Sequence, residues 1–512
     1  MNDRSNINTA TRRKTNISLF LSIILVTGTI ALSFLFSSFI TADAQADLNL
    51  QITQLTTDEL DFPTGIDFLA EDDILVIEKN TGQVKRILDG KVLNEPVLDV
   101  NVASERERGL LGIAILNTKG LTNPAATTTI KFQEENNLLD NEVKVFLFYT
   151  ETKDIDNGDI LGNRLYKYDF IDGKLVNPKL LLDLPSGLRH NGGVLELGPD
   201  NHLYLVVGDA DADIDGPLTL AQNIENNELP PDGRAGVLRL TVDGDPVIDN
   251  DGFSSLERNS GLLDFYYGYG IRNSFGISFD PVTGILWETE NGYDYGDEIN
   301  VILPGFNGGY MQIMGLSTEY ENFKNSEMAT LTSEVFVKFK DFDKSNLISL
   351  NGQGTYYDPV FTWVDTVAPT AVTFIDSNIF GEEYENDLLI GSVNQGGRIF
   401  HFNLNETRTG LDLSSSGELV DRIADVDEEL TPVTAGMNFG MITDIEINPY
   451  DGKIYVVSGL DGQSQKGKIY QAYPKSQQQK QQKQLLTTDF TTTKDIIMKN
   501  IIHQKENQKP IE

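Results

Sequence analysis

Chemistry is concentrated in one stretch, Leu188-Arg189-His190-Asn191-Gly192-Gly193, which runs into Val194-Leu195-Glu196-Leu197-Gly198-Pro199-Asp200 and Leu203-Tyr204-Leu205-Val206-Val207-Gly208-Asp209. The pattern predicts a loop carrying a histidine, a strand, a Pro-Asp turn and a second strand that ends at Gly-Asp. His190 is one of only four histidines in the chain, and the two glycines behind it allow close backbone approach. Imidazole in such a loop is a candidate general base, with simple hydrogen bonding of a loop residue as the alternative. Just downstream, Asp211-x-Asp213-x-Asp215-Gly216 follows the first half of a calcium loop, with a glycine where the turn is needed. The twelfth position is Gln222 instead of glutamate, which excludes a full EF-hand and leaves a structural Ca²⁺ or a solvated acidic loop.

The element around His190 is one of six similar phrases. Each has an alternating strand, a turn rich in Asp, Pro, Asn or Gly, an apolar strand and a third strand after glycine. The other five begin at Thr64-Gly65-Ile66, Leu111-Gly112-Ile113, Phe275-Gly276-Ile277, Ala371-Val372-Thr373 and Thr443-Asp444-Ile445. Six copies of a mostly antiparallel unit predict an all-β, six-bladed β-propeller over 47–473. That interval exceeds what six blades of roughly 40–50 residues require. The surplus falls in 116–142, 209–235, 243–270 and 304–365, which read as long loops able to carry function.

Composition sets the outer limits. A net charge of −37, from 77 acidic and 40 basic residues, repels a phosphate backbone and argues against a nucleic-acid partner. The absence of cysteine excludes disulfides, thiolate catalysis and Cys-ligated zinc. At the N-terminus, Arg12-Arg13-Lys14 precedes an uncharged run from Ile17 to Ile40, and Ala42, Ala44 and Ala46 follow. The run is long enough to span a bilayer, the alanines suit a signal cleavage site, and both readings place the remainder outside the cytoplasm. Residues 1–46 are therefore expected to be a signal peptide or membrane anchor, and the Gln/Lys-rich segment 474–512 a disordered tail.

The motifs resemble the pyrroloquinoline quinone (PQQ)-dependent sugar dehydrogenases, the glucose/sorbosone dehydrogenase-like quinoproteins, over about residues 60–473. Arg108-Gly109-Leu110-Leu111-Gly112, His190-Asn191-Gly192-Gly193 and Gly198-Pro199-Asp200 carry part of the resemblance. The rest lies in Gly236-Val237-Leu238-Arg239-Leu240, Gly270-Ile271-Arg272-Asn273-Ser274-Phe275-Gly276 and Glu290-Asn291-Gly292-Tyr293-Asp294-Tyr295-Gly296-Asp297-Glu298-Ile299-Asn300. The resemblance implies PQQ over the propeller axis, Ca²⁺ as Lewis acid, His190 as base toward a sugar hydroxyl, and Arg272 and Asn273 in contact with cofactor and substrate. It further implies Glu107 at the cofactor and Ca²⁺ on the main-chain oxygens of Gly292 and Tyr293. Arg189 and Trp363 would face the sugar, with burial between blades as the alternative for the tryptophan.

Several positions depart from the family pattern. Arg189 replaces an acid and should depress the basicity of His190, and Glu107 replaces a glutamine. Asn394 stands near the place of a cofactor-binding lysine, with Arg398 as the cation that could substitute. Met441-Ile442-Thr443-Asp444 replaces Arg-x-Arg-Asp, removing charge-assisted hydrogen bonds of roughly 1.5–3 kcal/mol each toward the three carboxylates of PQQ. The leading expectation is an extracytoplasmic quinoprotein that oxidises an aldose or related sugar and passes electrons to an unidentified acceptor. The alternatives are a cofactor-free propeller that binds carbohydrate or protein at the cell surface, and a Ca²⁺-dependent hydrolase such as a lactonase. Fold alone does not separate them.

Overall fold

The computed structural model describes residues 48, 50–117, 142–211, 231–247, 261–325, 345, 347, 349–350, 352–460 and 466–475. Residues 1–46, all but the first two residues of the expected tail 474–512, and the acidic positions Asp213 and Asp215 lie outside the described residues. Among the described residues no helix is long and apolar enough to cross a membrane.

The described strands make six sheets of an all-β propeller, and each sheet begins with one of the repeat phrases. The first contains Pro63–Ala70, Asp73–Glu78 and Gln83–Leu88; the second contains Leu110–Asn117, Val143–Thr152, Ile160–Ile171 and Lys174–Leu184. Leu195–Leu197, Leu203–Val207, Gly236–Leu240 and Tyr266–Tyr269 build the third, and Ser274–Phe279, Leu286–Glu290, Asp297–Ile302 and Phe361–Trp363 the fourth. The fifth runs Pro369–Phe374, Leu388–Ser392, Arg398–Phe402 and Thr434–Met437. In the sixth, Ile442–Ile447, Ile454–Ser458 and Lys468–Pro474 are joined by Leu50–Gln54 from the other end of the chain, with Leu50 opposite Pro474. That pairing covers what would otherwise be an exposed sheet edge.

Two stretches read as loops contain strands. Tyr266–Tyr269 lies in 243–270, and Phe361–Trp363 in 304–365; each is the fourth strand of its sheet. These runs are too short for alternation to stand out from the glycine- and proline-rich residues around them. Side chains alternate across each strand, so Ile66, Phe68, Val76 and Ile87 pack toward one neighbouring sheet while Leu75, Ile77 and Val84 pack toward the other. The first strands of successive sheets touch in ring order, with the sixth reaching back to the first. At Gly112 on the second of these strands, a Cβ would lie 1.8 Å from the Gly193 carbonyl oxygen, so only glycine permits the approach.

Three acidic side chains of the inner strands, Asp67, Glu196 and Glu446, line a cavity of about 610 Å³. Burial pushes Asp67 up to about 7, against opposing hydrogen bonds from the main chain. Burial, followed by repulsion from Asp67 and Asp444, pushes Glu196 up to about 8 and raises Glu446 strongly. These groups favour the proton-binding folded state between their unfolded and folded pKa values, so folding stability must fall as pH rises through that window. Melting temperature at matched ionic strength is expected to decrease from about pH 5 to pH 8. Glu196→Gln should flatten the decline; a wild-type protein that gains stability over the same range would contradict the assignment.

Candidate active site at one end of the ring axis

Each inner strand contributes to a second cavity of about 550 Å³. Thr64, Leu111, Val194, Phe275, Thr370 and Thr443, one from or beside the start of each sheet's first strand, line it together. Their common place in the repeat puts the cavity on the ring axis and gives it a mostly apolar lining. His190, Arg272, Asn273, Glu107, Arg189, Gly292 and Tyr293 all line the same space.

His190 is held with its backbone at φ 55° and is 3 % exposed. The neighbouring residues account for this placement. Its main-chain N–H donates to Glu107 Oε2 at 2.6 Å, and its carbonyl accepts from Ala210 N at 3.1 Å. Asn191 closes the loop from below, accepting from Gly187 N at 3.0 Å and Asn163 Nδ2 at 2.9 Å. Gly192 lies at φ 62°, where a Cβ would also meet the Val206 carbonyl oxygen at 2.5 Å.

The imidazole is oriented by a residue the sequence did not single out for this role. His190 Nδ1 lies 2.6 Å from Asp209 Oδ1, and Asp209 Oδ2 accepts from the Tyr310 hydroxyl at 2.8 Å. Asp209 is fully buried. Burial alone would raise its pKa, but His190, Arg272 and the Tyr310 hydrogen bond outweigh it and hold the carboxyl below the usual range. With Nδ1 engaged, Nε2 is the ring nitrogen left for a ligand. Asp209 N also donates to the Arg272 carbonyl at 2.8 Å, so one residue fixes the spacing of the histidine and arginine segments.

Arg272 and Asn273 are 4 % and 5 % exposed. Arg272 Nη1 donates to the Asn291 carbonyl at 2.8 Å, while its main-chain N–H is anchored on Glu290 Oε1. Asn273 Oδ1 is buried without a hydrogen-bond partner in the protein. A buried amide oxygen in that condition on a cavity wall is suited to a donor supplied by a ligand. Gly292 N donates to Asp297 Oδ1 at 2.8 Å, which pins the segment carrying Gly292 and Tyr293.

Four expectations need correction. Arg189 is not a free charge beside the histidine, because Asp211 accepts from its main-chain N at 2.7 Å and its Nε at 3.0 Å. Each oxygen of Asp211 thus accepts one bond from Arg189; Asp213 and Asp215, the rest of the expected calcium loop, lie outside the described residues. Trp363 is fully buried against Phe361 and Phe400, at ring-centroid distances of 4.9 and 5.5 Å, and does not face the cavity. Arg398 forms a two-point pair with Asp427 at 2.7 and 2.9 Å and is not part of the lining. Asn394 is exposed, donates to the Thr366 carbonyl at 3.0 Å, and leaves Val393 as that segment's contribution to the wall. Each of these side chains is captured by a partner distant in sequence, which composition and spacing do not reveal.

Sequence reasoning also missed Lys79, Arg106 and Phe62 on the wall. Lys79 directly follows the second strand of its repeat, as Asn291 does in the fourth, and this shared place was the available signal. Among the described residues no group of three or more His, Cys, Asp or Glu side chains could hold a metal ion, so the acidic centre expected of a calcium-dependent hydrolase is not found there.

Comparison with known proteins places this arrangement among propeller oxidoreductases. Residues 130–434 match the sequence pattern of the family described as glucose/sorbosone dehydrogenase, and the chain belongs to that family. It is 25% identical over 364 residues to aldose sugar dehydrogenase YliI of Escherichia coli K12, covering 68% of this chain and 79% of that protein. A shorter match, 32% identical over 172 residues, reaches quinoprotein glucose dehydrogenase B of Acinetobacter calcoaceticus, covering 32% of this chain and 34% of that one. The fold is shared with the soluble aldose sugar dehydrogenase of E. coli in its apo form, with TM-score 0.57, 21% identity, and coverage of 83% of this chain and 100% of that one. It is also shared with the PQQ-bound aldose sugar dehydrogenase of Streptomyces coelicolor, with TM-score 0.53, 20% identity, and coverage of 83% and 99%.

Replacing Asp209 with asparagine should preserve the fold and lower kcat by about 10²- to 10⁴-fold, because the amide no longer fixes the imidazole tautomer. Stability contributed by Asp209 is present above its unfolded pKa and is lost as pH falls through the depressed folded value, so Asp209→Asn should also weaken that acid transition. An unchanged kcat in a folded variant would remove Asp209 from the site. For Trp363, phenylalanine is expected to leave KM within about twofold, whereas alanine should destabilise by about 3–5 kcal/mol in denaturant unfolding. A large KM change in a stable Trp363→Phe variant would restore the tryptophan to the substrate.

Proposed function

We propose that this protein oxidises a hydroxyl of an aldose or related sugar, with PQQ as electron acceptor and Ca²⁺ as Lewis acid, on the axis of a six-bladed ring. The observation that carries the reading is the meeting of the Asp209-oriented His190 with Arg272 and Asn273 in one axial cavity. The residues present fit the cofactor. Thr64, Leu111, Val194 and Phe275 offer a lining for a flat ring system, Asn273 Oδ1 lacks a partner, and Lys79, Arg106 and Arg272 bring positive charge to the wall. Ca²⁺ would take main-chain oxygens of Gly292 and Tyr293 together with oxygens of the cofactor. PQQ, when bound, supplies a two-electron acceptor.

The protein's own groups then have separate duties. His190 Nε2 accepts the proton of the sugar hydroxyl, while Asp209 keeps Nδ1 protonated and favours the imidazolium that results. Arg272 places fixed positive charge where negative charge develops, with no reorganisation because its Nη1 is already anchored on Asn291. The arrangement needs His190 unprotonated at the outset, because only a free Nε2 can take the hydroxyl proton.

A second reading has one specific observation behind it. On the arc of the fifth and sixth sheets, the cavity is lined by Ala368, Val393, Met441, Thr443 and Leu460, without a charged side chain, while Arg398 is paired with Asp427. This favours a propeller that binds carbohydrate or protein without a cofactor. For the chain as a whole, the proposal keeps 1–46 as leader or anchor, 47–473 as the catalytic propeller working outside the cytoplasm, and 474–512 as a tail. The basic cluster before Ile17–Ile40 supports that location.

The test is titration of the purified protein with PQQ, with and without Ca²⁺, followed by a panel of aldoses. Saturable, Ca²⁺-dependent binding and bleaching of the cofactor absorbance by one or more sugars are expected. Absence of binding at saturating PQQ would overturn the dehydrogenase reading in favour of the cofactor-free one.

A further inference from the structure

Lys79 has no role in the reading so far, yet its surroundings call for one. It follows the strand Asp73–Glu78, is 7 % exposed and lines the axial cavity. Its Nζ donates to two neutral oxygens, the Ser104 carbonyl at 3.1 Å and Asn80 Oδ1 at 3.2 Å, and lies 5.4 Å from the Phe62 ring centroid. An ammonium carries three donors, so one remains. No carboxylate among the described residues lies within ion-pair distance of it. Buried charges in proteins are ordinarily paired, and a buried lysine without an anion is an open requirement.

The backbone is built to keep the lysine there. Leu110 N donates to the Lys79 carbonyl at 3.1 Å, and a Cβ at Gly109, which sits at φ 145°, would lie 2.4 Å from that oxygen and 2.5 Å from Lys79 Cγ. The glycine of Arg108-Gly109-Leu110 therefore makes room for the lysine. Arg106, three residues earlier and also on the cavity wall, has no hydrogen bond or ion pair among the described residues. Two cations without counter-ions thus stand on the arc formed by the first sheet and the segment entering the second. The arc of the fifth and sixth sheets carries none.

We infer that Lys79, assisted by Arg106, binds a carboxylate of the anionic cofactor and so fixes which way round the cofactor lies, with a carboxylate edge toward the first sheet. This rests on the cofactor reading above and deepens it by assigning the anchor. Burial lowers Lys79 to about 8, opposed by Glu107 and Asp61. The other groups around it are Arg106, Asn80, the Ser104 carbonyl and the Phe62 ring. Its charge fades as pH rises through that value, so anion binding must weaken on the alkaline side.

The experiment is equilibrium binding of PQQ to the full chain, read from protein fluorescence quenching without substrate, for wild type, Lys79→Met and Lys79→Arg at pH 7 and pH 9.5. At pH 7 the methionine variant is expected to bind at least about tenfold more weakly, and the arginine variant within about threefold of wild type. Wild-type affinity should fall between pH 7 and 9.5, with Lys79→Arg losing less because guanidinium stays charged. Melting curves establish that each variant is folded; if the methionine variant is not, the wild-type and arginine pH responses decide. Equal affinity of folded Lys79→Met and wild type, or an identical pH response of wild type and Lys79→Arg, would overturn the anchor while leaving the cofactor reading intact. Failure of wild type to bind PQQ would overturn both.

Discussion

The buried carboxylate of Asp209 is the point on which the site depends. Its oxygens are divided between His190 and Tyr310, and its amide is bonded to the Arg272 carbonyl. Gly208, immediately before it, lies so close to the carbonyls of His190 and Arg272 that a Cβ would meet them at 2.5 and 2.7 Å. The histidine loop, the end of the Leu203–Val207 strand and the arginine segment are thereby fixed against one another before any ligand arrives. Preorganisation of this kind is what lets a base and an electrostatic partner act without moving.

Charge is distributed against the average of the molecule. A chain with 77 acidic and 40 basic residues places four cations on the lining of one cavity and acidic side chains on the lining of another. The inner strands reach both spaces, Thr64 lining the cationic cavity and Asp67 the acidic one. A strand brings a different side chain to each level of the axis, so a repeat closed into a ring can hold opposite chemistries at different depths. Separation keeps the raised-pKa carboxylates on the acidic lining and His190 on the cationic one.

Much of this was legible in the sequence because it rests on local rules. The apolar runs Ile74–Glu78 and Ile454–Ser458 and the Gly198-Pro199-Asp200 turn reveal strands and their repeat, and the glycines around His190 and Arg272 reveal places where backbones converge. What was not legible depended on partners far apart in the chain. Asp209 is 19 residues from His190 and Tyr310 is 101 residues from Asp209. Arg398 read as a spare cation because Asp427, 29 residues away, was not an obvious partner. Trp363 read as a sugar platform because an aromatic strand residue and an aromatic binding residue look alike until their packing is known. Lys79 was not legible because it stands one residue beyond the apolar strand Asp73–Glu78, where a polar residue ordinarily marks the turn.

The central claim is that one axial cavity holds cofactor and sugar together, with His190 aimed at the hydroxyl. A crystal structure of the protein with PQQ, Ca²⁺ and a sugar tests it most directly. The account predicts planar density over the axial lining, its carboxylate edge toward Lys79 and Arg106, and a sugar hydroxyl within about 3 Å of His190 Nε2. Cofactor bound away from His190 and Arg272, or a sugar in the cavity with His190 turned from every hydroxyl, would contradict it.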